Sequence, residues 1–378
     1  MRIGLDARYG FRDERRGIGN YIGVLIRHLP QVADPSDEFI LYIDAPARTE
    51  ALEVADPRFR VRRLNATNPL TFEEWALPRA AREDRLDLLH LTSNYGPSLA
   101  PCPTVYTIHD LIEWVRPTFS REQLSFRHGA GRAVRMRTLP GQARRARRII
   151  TISAQSRDDL VRILGLRTER IRIVPQGINP ELVPGDPAAV RAALRAEGYP
   201  VPERYVLALG ALDPRKNGPF LMRAFARAQR ELGDVGLWIV GVERLEDYPL
   251  PVAEPGPWLT VKGFVGREAL VRLLQGATAF VFPSLYEGFG LPVLEAMACN
   301  VPVLASNRSS VPEIAGEAAV LFDPQDEEGL ARALVRVLND PDRLAAMAKA
   351  GLAHSRAFTC LATTQATYEV YREAATGA

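Results

Sequence analysis

Residues 282–298 read FPSLYEGFGLPVLEAMA and carry the clearest structural signal in the chain. An apolar strand ends near Pro283, a glycine-rich turn follows, and Pro292 fits the start of a helix. Gly288 and Gly290 allow the backbone to approach a ligand closely. The N–H groups at the start of such a helix can bind hydroxyl or phosphate oxygens. The stretch therefore predicts a strand, a ligand-binding turn and a helix.

Strands and helices alternate along almost the whole chain. A first series of apolar, β-branched runs predicts strands at Arg2–Asp6, Phe39–Asp44, Arg60–Leu64, Leu88–Leu91, Thr104–Ile108, Ile149–Ser153 and Ile171–Pro175. A second series predicts strands at Tyr205–Gly210, Leu237–Gly241, Leu259–Lys262, Ala279–Pro283, Val301–Ala305 and Ala319–Phe322. Helical periodicity lies between them, as at Ile18–Leu29, Asn217–Leu232, Arg267–Leu274 and Leu330–Leu338. Strands separated by helices form parallel sheets covered on both faces, so the chain is predicted to be α/β, with two doubly wound domains.

Proline and glycine cluster near the middle of the chain, from Pro175 to Pro187, where the periodicity stops. This cluster predicts a linker between an N-terminal domain of residues 1–178 and a C-terminal domain of residues 179–357. The end of the chain reads as helices without an intervening strand. The last helix, within residues 358–378, is expected to cross back to the N-terminal domain.

The composition excludes several classes of protein. The chain has 378 residues, of which 47% are hydrophobic and 25% charged, unlike a disordered, collagen-like or coiled-coil chain. No apolar run approaches the roughly 18 residues of a membrane-spanning helix, and Asp6 comes too early for a signal peptide. Cys102, Cys299 and Cys360 lack metal-ligand spacing, which predicts no metal site and a reducing, cytoplasmic location.

The net charge of +3 hides an asymmetry between the two halves of the chain. Residues 1–180 carry 29 Lys and Arg against 21 Asp and Glu, a balance of +8, and residues 181–378 carry 19 against 24, a balance of −5. An anionic partner is therefore expected at the N-terminal half.

Arg215 and Lys216 follow the predicted strand that ends at Gly210, just before a helix. Adjacent cations are unfavourable at the positive end of a helix dipole, so an anion such as a diphosphate is expected beside them. An exposed basic turn is the alternative. Lys216 is one of three lysines in the chain, which favours the functional interpretation.

Glu287 precedes the helix of the 282–298 stretch and Glu295 lies about one turn inside it. Carboxylates beside a helix N-terminus suit the recognition of sugar hydroxyls, which are neutral hydrogen-bond donors. The alternative is a solvated Glu287 and a Glu295 that interacts with the helix dipole.

Two weaker signals occur in the N-terminal half. Gly17-Ile18-Gly19 opens a helix and could admit a phosphate or a sugar, although its spacing does not match a dinucleotide fingerprint. His109 follows a strand and is predicted to face a ligand, although a buried, hydrogen-bonded histidine fits equally well. His109 and Asp110 do not form a metal pair, because no further ligand stands at usable spacing.

Arginines are dense between Arg127 and Arg148, in a segment predicted to be helical but interrupted at Pro140-Gly141. Such a basic face could contact an anionic membrane or guide an anionic acceptor, and a solvated arginine-rich face is the alternative. Nucleic-acid binding is not expected, because no known module or aromatic interleaving accompanies the charge.

These features together resemble the retaining glycosyltransferases of family 4, whose GT-B architecture has two Rossmann-like domains facing a central cleft. Residues 287–298 are similar to the Glu-x7-Glu signature of that family, with its Gly-Phe-Gly turn. Arg215-Lys216 resembles the family's Arg-Lys pair. Gly17-Ile18-Gly19 is similar to its N-terminal glycine turn, except that Arg16 replaces a third glycine found in many relatives.

Two further stretches resemble this family. Residues 107–112, TIHDLI, are similar to the branch that includes many bacterial polysaccharide mannosyltransferases, and residues 152–156, ISAQS, resemble the family's Ser-x-x-Ser strand end. The resemblance spans nearly the whole chain. It implies transfer of a hexose, with mannose favoured, from a GDP- or UDP-linked donor to a glycan or lipid-linked glycan acceptor, with no metal and no cofactor.

The resemblance also implies roles for single residues. Arg215 and Lys216 would hold the diphosphate, Glu287 the donor sugar, Glu295 the ribose, and His109 would lie beside the sugar. The implied catalytic set is His109, Arg215, Lys216 and Glu287, and the implied donor-binding set is Gly17, Gly19, Gly210, Arg215, Lys216, Phe264, Val265, Glu287, Gly288, Phe289, Gly290, Leu291 and Glu295. A phosphorylase or nucleotide-sugar epimerase of the same architecture, and a non-catalytic nucleotide-sugar-binding subunit, remain alternatives.

Overall fold

The computed structural model describes residues 1–12, 17–115, 126–210, 213–242 and 256–376, without the side chains of residues 126–132, 134 and 135. The described residues form two units. Unit 1 comprises residues 1–12, 17–115, 126–177 and 358–376. Unit 2 comprises residues 178–210, 213–242 and 256–357.

Unit 1 contains, among its described residues, a seven-stranded sheet of order β3-β2-β1-β4-β5-β6-β7. Its strands are β1 Arg2–Asp6, β2 Glu38–Ile43, β3 Phe59–Arg63, β4 Leu88–Leu91, β5 Thr104–Thr107, β6 Arg148–Thr151 and β7 Ile171–Ile173. Every pairing is parallel, and Ile3 of β1 lies between Phe39 of β2 and Leu88 of β4. Hydrophobic clusters cover both faces of the sheet, as expected for buried parallel strands.

Helices flank this sheet. The described helices of unit 1 are α1 Ile18–Val32, α2 Pro69–Thr71, α3 Leu77–Glu83, α4 Ile112–Val115, α5 Phe126–Arg145, α6 Ala154–Leu164 and, from the end of the chain, α14 Cys360–Thr376. A single π-helical turn, Phe72–Ala76, joins α2 to α3. Helix α14 packs against α1, and its Tyr368, Val370 and Tyr371 lie in the same core cluster as Ile3.

Helix α5 contradicts the predicted interruption at Pro140-Gly141, because it continues through Pro140 to Arg145. Proline removes one hydrogen bond of the helix and disfavours its interior. Here Leu139 and Ala143 are buried in the core on either side of it. Packing of this face therefore outweighs the local preference for a break.

Unit 2 contains, in the part that the structure describes, a six-stranded parallel sheet of order β10-β9-β8-β11-β12-β13. Its strands are β8 Tyr205–Leu209, β9 Gly236–Val240, β10 Leu259–Val261, β11 Ala279–Phe282, β12 Val303–Ser306 and β13 Val320–Phe322. Its helices are α7 Pro187–Ala196, α8 Gly218–Leu232, α9 Arg267–Gly276, α10 Leu291–Ala298, α11 Val311–Ala315, α12 Glu327–Leu338 and α13 Pro341–Ser355. Aspartates accept hydrogen bonds from backbone N–H groups at the starts of α7, α12 and α13, which fixes where these helices begin.

The two parallel sheets with flanking helices confirm the predicted α/β class. In each sheet the first strand in the chain is central and the order changes direction beside it. Ligands of such folds bind beyond the carboxyl ends of the strands, at the point where the order reverses. The residues after β8 and β11, which are neighbours in the sheet of unit 2, therefore stand where a ligand of this fold is expected. Within the described ranges, no helix is both long enough and apolar enough to cross a membrane.

Candidate functional site

A short helical turn, Pro214–Lys216, follows β8 and presents Arg215 and Lys216. Asp213 begins the turn, and its Oδ1 accepts the backbone N–H of Arg215 at 3.0 Å. Asn217 ends the turn with a left-handed φ of 55°, and its Nδ2 donates to the carbonyl oxygens of Pro283 at 3.3 Å and Pro324 at 2.9 Å. The two cations are thus fixed at the ends of β8 and β11.

Both cations bind the carboxylate of Glu287. Arg215 Nη1 lies 2.5 Å from Glu287 Oε2, and Lys216 Nζ lies 2.9 Å from Oε1. Only 13% of the Glu287 side chain is exposed, with 16% for Arg215 and 18% for Lys216. Arg215 also donates through Nη1 to the carbonyl oxygen of Tyr286 at 3.0 Å. The three charged groups form a compact, largely buried cluster, here called the ion triad.

The charge state of the ion triad follows from its geometry. Burial alone would raise the pKa of Glu287, but the nearby charges of Lys216 and Arg215 outweigh it and hold that pKa below its usual value. The Lys216 ammonium also lies 5.1 Å from the centre of the Phe282 ring, a favourable cation–π distance. Glu287 is therefore a carboxylate at neutral pH.

Hydroxyl groups from the end of β12 and the segment after it fix the backbone of the Glu287 loop. Ser309 Oγ donates to the carbonyl oxygen of Glu287 at 2.7 Å, and Ser310 Oγ lies 2.9 Å from the same oxygen and 2.7 Å from that of Phe289. Ser306 Oγ donates to the carbonyl oxygen of Ser284 at 2.6 Å. We call Ser306, Ser309 and Ser310 the serine clamp, since together they fix the turn between β11 and α10.

Helix α10 begins after Gly290, whose φ of 113° is unfavourable for any residue with a side chain. Leu291 is its first residue, and Pro292 follows within the first turn. Glu295 lies on the next turn and accepts a hydrogen bond from Arg267 Nη1, at the start of α9, at 2.8 Å. The side chain of Glu295 is 17% exposed and that of Arg267 40%. Arg267 thus fixes the orientation of the Glu295 carboxylate.

Backbone segments after β8, β9 and β10 lie side by side in unit 2. The N–H of Gly210 donates to the carbonyl oxygen of Val240 at 2.7 Å, and the N–H of Gly241 donates to that of Gly263 at 3.0 Å. The next residue, Phe264, is 60% exposed, and Val265 is half-buried. These residues stand at the carboxyl edge of the same sheet as the ion triad.

His109 lies in unit 1, beyond the end of β5, with 7% of its surface exposed. Its Nε2 is 3.1 Å from the carbonyl oxygen of Thr92, and its Nδ1 is 3.1 Å from Nε2 of Gln176. Burial lowers its pKa to about 4, so the ring is neutral. Its burial and hydrogen bonds match the second of the two interpretations that the sequence allows, and a role beside a ligand stays a prediction.

Gly17 and Gly19 stand at the start of α1. Gly17 has a φ of 36° and precedes the helix, and a side chain there would meet no atom within 4 Å. Gly19 is buried in the first turn of α1. Arg16 lies outside the described residues.

The arginines of α5 and the segment after it are partly described. Arg137, Arg144, Arg145 and Arg147 are exposed. Arg144 and Arg145 donate to the carbonyl oxygens of Leu164 and Ser98, and Arg148 pairs with Glu373 of α14. The side chains of Arg127, Arg132 and Arg135 lie outside the described ones.

The structure brings together Arg215, Lys216 and Glu287, which sequence reasoning selected separately. Sequence reasoning missed the serine clamp, Arg267 and Gln176. A signal for the clamp existed, because Ser309-Ser310 follows a strand and precedes a helix in the same way as the Glu287 loop. No group of three or more His, Cys, Asp or Glu that could hold a metal ion occurs in the described part of the chain.

Two families of known proteins match this chain, one in each half. The family described as Glycosyltransferase Family 4 matches residues 15–182, and the family described as Glycosyl transferases group 1 matches residues 191–354. The two matches together span most of the chain.

Curated relatives include bacterial mannosyltransferases. The O-antigen chain mannosyltransferase B of Escherichia coli is 29% identical over 381 residues, which cover 94% of this chain and 96% of that protein. The MMP alpha-(1->4)-mannosyltransferase of Mycolicibacterium hassiacum is 31% identical over 209 residues, covering 53% of this chain and 48% of that protein.

Solved structures share the fold over nearly their whole length. Sucrose-phosphate synthase from Thermosynechococcus elongatus has a TM-score of 0.74 at 23% identity, covering 99% of this chain and 98% of that chain. HepE of Anabaena, in complex with UDP and glucose, has a TM-score of 0.70 at 18% identity, covering 98% of this chain and 99% of that one. Together with the two parallel sheets, these structural neighbours confirm the predicted GT-B fold class.

Proposed function

The chain belongs to the glycosyltransferases of family 4, and on that premise we propose that it transfers mannose from a nucleoside diphosphate donor to a glycan or lipid-linked glycan acceptor. The transfer retains the anomeric configuration and uses no metal ion. The observation that carries the proposal is the ion triad: two fixed cations and one carboxylate at the carboxyl edge of the sheet of unit 2.

Unit 2 would bind the donor. Arg215 and Lys216 would hold the diphosphate, since a guanidinium can fork two oxygens and an ammonium supplies a compact point charge. The first turn of α10 would add the positive end of a helix dipole. Glu295, whose carboxylate Arg267 orients, would accept hydrogen bonds from the ribose, and the backbone at Phe264–Val265 would face the base.

The reaction breaks the bond between the anomeric carbon and the phosphate oxygen, and the bonding electron pair leaves with the nucleoside diphosphate. The acceptor hydroxyl oxygen forms the new bond on the same face of the sugar, and its proton passes to the departing phosphate oxygen. Negative charge grows on the diphosphate while the sugar becomes positive. Fixed cations in a poorly solvated site stabilise that charge separation without having to reorganise.

Glu287 has two roles in this proposal. In the absence of donor its single negative charge offsets part of the charge of Arg215 and Lys216, and the carboxylate of Asp213, 3.5 Å from Arg215 Nε, supplies a second negative charge. With the donor in place it would accept hydrogen bonds from sugar hydroxyls, and its negative charge would favour the developing positive charge on the sugar. The lowered pKa keeps it ionised for both roles.

Metal independence is part of the proposal, because Arg215 and Lys216 would provide the charge that a divalent cation provides in other transferases. Transfer measured after removal of divalent cations with EDTA tests it. We expect the rate to stay within about twofold of the untreated rate. A loss that Mg²⁺ or Mn²⁺ restores would contradict this part.

The donor is proposed to be GDP-mannose. The supporting observation for the sugar is that two relatives, matched over 94% and 53% of this chain, are named as mannosyltransferases. HepE, which shares the fold, was solved with UDP and glucose, so a uridine donor is the competing choice. Thermal stabilisation by GDP, UDP and ADP discriminates between them, since a ligand of the folded state raises its melting temperature. Transfer from GDP-mannose then tests the sugar.

Peripheral membrane contact through the Arg127–Arg148 segment is also proposed, since a lipid-linked acceptor would lie at a membrane surface. The exposed Arg137, Arg144, Arg145 and Arg147 support an attraction to anionic lipids that salt would screen. Co-sedimentation with anionic and neutral vesicles at low and moderate salt tests it. Absence of binding to anionic vesicles at low salt would contradict this contact.

A phosphorylase, an epimerase or a non-catalytic binding subunit is not favoured, because the family matches and the named relatives are glycosyltransferases. Incubation of the donor with inorganic phosphate in place of an acceptor, followed by product analysis, separates a phosphorylase from a transferase.

A further inference from the structure

We propose that Trp75 and Leu99 of unit 1 form an apolar anchor that inserts into the surface of an anionic membrane. Trp75 is 75% exposed and Leu99 is 70% exposed. The two side chains are here called the Trp75 anchor. The proposal rests on the proposed function and deepens it, because the membrane contact suggested there uses only the charges of the Arg127–Arg148 segment.

The π-helical turn Phe72–Ala76 directs Trp75 to the outside. In a regular α-helix, residues three or four positions apart share a face, so Trp75 would lie on the face of the fully buried Phe72. In this turn the N–H of Leu77 donates to the carbonyl oxygen of Phe72, five residues back, and Leu77 is the next fully buried side chain. The extra residue thus moves the buried face past Trp75. Single π turns are frequent at functional sites, and this one exposes a tryptophan.

Hydrogen bonds join the backbone beside Trp75 to the backbone beside Leu99. The two carboxylate oxygens of Glu74 accept from the N–H of Ser98 at 3.2 and 3.1 Å, and Ser98 Oγ donates to Glu74 Oε1 at 2.9 Å. Arg145 of α5 donates through Nη1 to the carbonyl oxygen of Ser98 at 3.3 Å. Trp75, Leu99 and Arg145 therefore lie on neighbouring parts of one surface of unit 1.

The loop that carries Leu99 is restrained on both sides. Pro97 and Pro101 flank it, and the ring of a proline restricts its backbone φ. Gln142 of α5 donates through Nε2 to the carbonyl oxygen of Gly96 at 2.5 Å. Because the loop is already ordered, little conformational entropy is lost when Leu99 enters an apolar phase.

The surroundings of the Trp75 anchor are basic. Phe72 and Leu77 belong to the same core cluster as Leu139 and Ala143 of α5, so the anchor and α5 lie on the same face of the sheet. Helix α3 and the described side chains of α5 contribute five arginines against one acid, Glu83. The five exposed arginines are Arg79, Arg82, Arg137, Arg144 and Arg145. Anionic headgroups complement this charge, whereas a neutral glycan does not.

A tryptophan beside arginines suits the region where lipid headgroups meet the acyl chains. The indole ring is mostly apolar but carries one N–H donor, and tryptophan is enriched at membrane–water interfaces. Salt screens the attraction between arginines and anionic lipids, whereas it does not screen the burial of apolar side chains. The Trp75 anchor would therefore hold the protein at the membrane where the arginines alone would release it.

The test makes the same change at two exposed leucines. Leu99→Ser removes one member of the anchor. Leu361→Ser is the control, because Leu361 is 44% exposed on α14, which packs in the core cluster on the opposite face of the sheet. Trp75→Ser removes the other member, and Trp75→Phe keeps an aromatic ring without the indole fluorescence. These side chains are exposed, so all four variants should melt close to the wild type.

Binding is measured by co-sedimentation with vesicles of phosphatidylcholine and phosphatidylglycerol, and with vesicles of phosphatidylcholine alone, at low and moderate salt. We expect Trp75→Ser and Leu99→Ser each to lower the partition coefficient for the anionic vesicles about tenfold, which is about 1.4 kcal/mol. Leu361→Ser should stay within about twofold of the wild type. At moderate salt the wild type should keep more of its binding than Trp75→Ser does, because apolar insertion is not screened.

Tryptophan fluorescence identifies the side chain that inserts. The wild-type emission should shift to shorter wavelength with anionic vesicles and should be quenched by brominated acyl chains. Both signals should disappear in Trp75→Phe, which should still bind. The other tryptophans, Trp114, Trp238 and Trp258, are half-buried or buried, so they should not respond.

Equal vesicle binding by Trp75→Ser, Leu99→Ser and Leu361→Ser, or an unchanged emission spectrum in the bound wild type, overturns the anchor and leaves the arginine contact standing. A wild type that binds no anionic vesicles overturns both. A dimer in sedimentation analysis that Trp75→Ser abolishes would assign this surface to a second copy of the chain instead.

Sugar transfer is measured separately, from GDP-mannose to a soluble mannoside. Trp75→Ser should transfer at the wild-type rate, since the anchor contacts the membrane and not the donor. If the wild type transfers no sugar from any nucleotide donor, the proposed transfer fails, while the vesicle and fluorescence results still decide the anchor.

Discussion

Replacing Lys216 with methionine separates a catalytic role for this side chain from a purely structural one. Lys216 Nζ lies 2.9 Å from Glu287 Oε1. At an effective dielectric constant of about 20, the attraction at that distance is about 6 kcal/mol before desolvation is subtracted. Removing one member of a buried pair costs about 3–5 kcal/mol of stability. Because Arg215 stays bound to Glu287 and the lysine is 18% exposed, we expect a loss nearer 2–3 kcal/mol.

The expected loss of activity is of a different kind. Removal of one fixed group that stabilises the departing charge typically lowers kcat about 100- to 1000-fold, which is about 2.7–4 kcal/mol of transition-state free energy. Combining Lys216→Met with Glu287→Gln should not restore stability, because Arg215 then loses its partner Glu287 as well. It should not restore transfer, because the phosphate still lacks its cation.

The assay compares these variants with Lys349→Met, a matched change of an exposed lysine in α13. Urea denaturation gives the change in stability, and release of nucleoside diphosphate at saturating donor and acceptor gives kcat. Lys349→Met should match the wild type in both measurements. If Lys216→Met loses the expected stability but transfers sugar at nearly the wild-type rate, Lys216 only neutralises Glu287, and the assignment of the diphosphate to this pair is wrong.

Four further outcomes are expected. Ser310→Ala should cost about 1–3 kcal/mol, because the single hydroxyl proton that lies between the backbone carbonyls of Glu287 and Phe289 is lost, and should raise donor KM more than Ser310→Thr does; unchanged kinetics would limit the serine clamp to a stabilising role. Glu295→Ala should weaken GDP binding, measured by calorimetry, about tenfold, which amounts to about 1.4 kcal/mol. The preferred sugar should stay the same. Arg267→Gln should weaken GDP binding by a smaller factor, since the Glu295 carboxylate loses the partner that orients it, and tighter binding would contradict that role. As the pH is lowered below about 4.5, the free energy of unfolding should fall faster in the wild type than in Glu287→Gln. The cause is that the Glu287 carboxyl, whose pKa is lowered in the folded protein, takes up a proton on unfolding. Parallel curves of unfolding free energy against pH would refute the lowered pKa.

The fold could be predicted from the sequence because its strands are short apolar runs bounded by breakers. The run that ends at Asp6 forms β1 with the predicted ends, and the predicted strand at Ala279–Pro283 forms β11 as Ala279–Phe282. Proline has no N–H to donate to a neighbouring strand, which accounts for the shorter end. Helix α5 could not be predicted as continuous, because burial of Leu139 and Ala143 depends on packing that local preferences do not contain.

The candidate site was predictable as a set of residues but not as a set of contacts. Arg215, Lys216 and Glu287 each follow a strand, so a shared ligand could be inferred from strand order. The ion pairs of Glu287 with Lys216 and Arg215 join residues 71 and 72 positions apart, and they depend on β8 and β11 being neighbours in the sheet. The contact between Gln176 and His109 joins residues 67 positions apart in the same way. No spacing rule along the chain encodes such a pair.

The ion triad changes the physical argument for an anion beside Arg215 and Lys216. The sequence predicts that an anion such as a diphosphate offsets the two adjacent cations, whereas the carboxylates of Glu287 and Asp213 already lie beside them within the protein. On the proposed function, a donor would compete with Glu287 for both cations, which would weaken ground-state binding. The competition would ease as the diphosphate gains charge on leaving and the sugar attracts the carboxylate toward its own positive charge. Cations held by an internal carboxylate would thus favour the transition state over the bound donor, and only such a difference raises kcat.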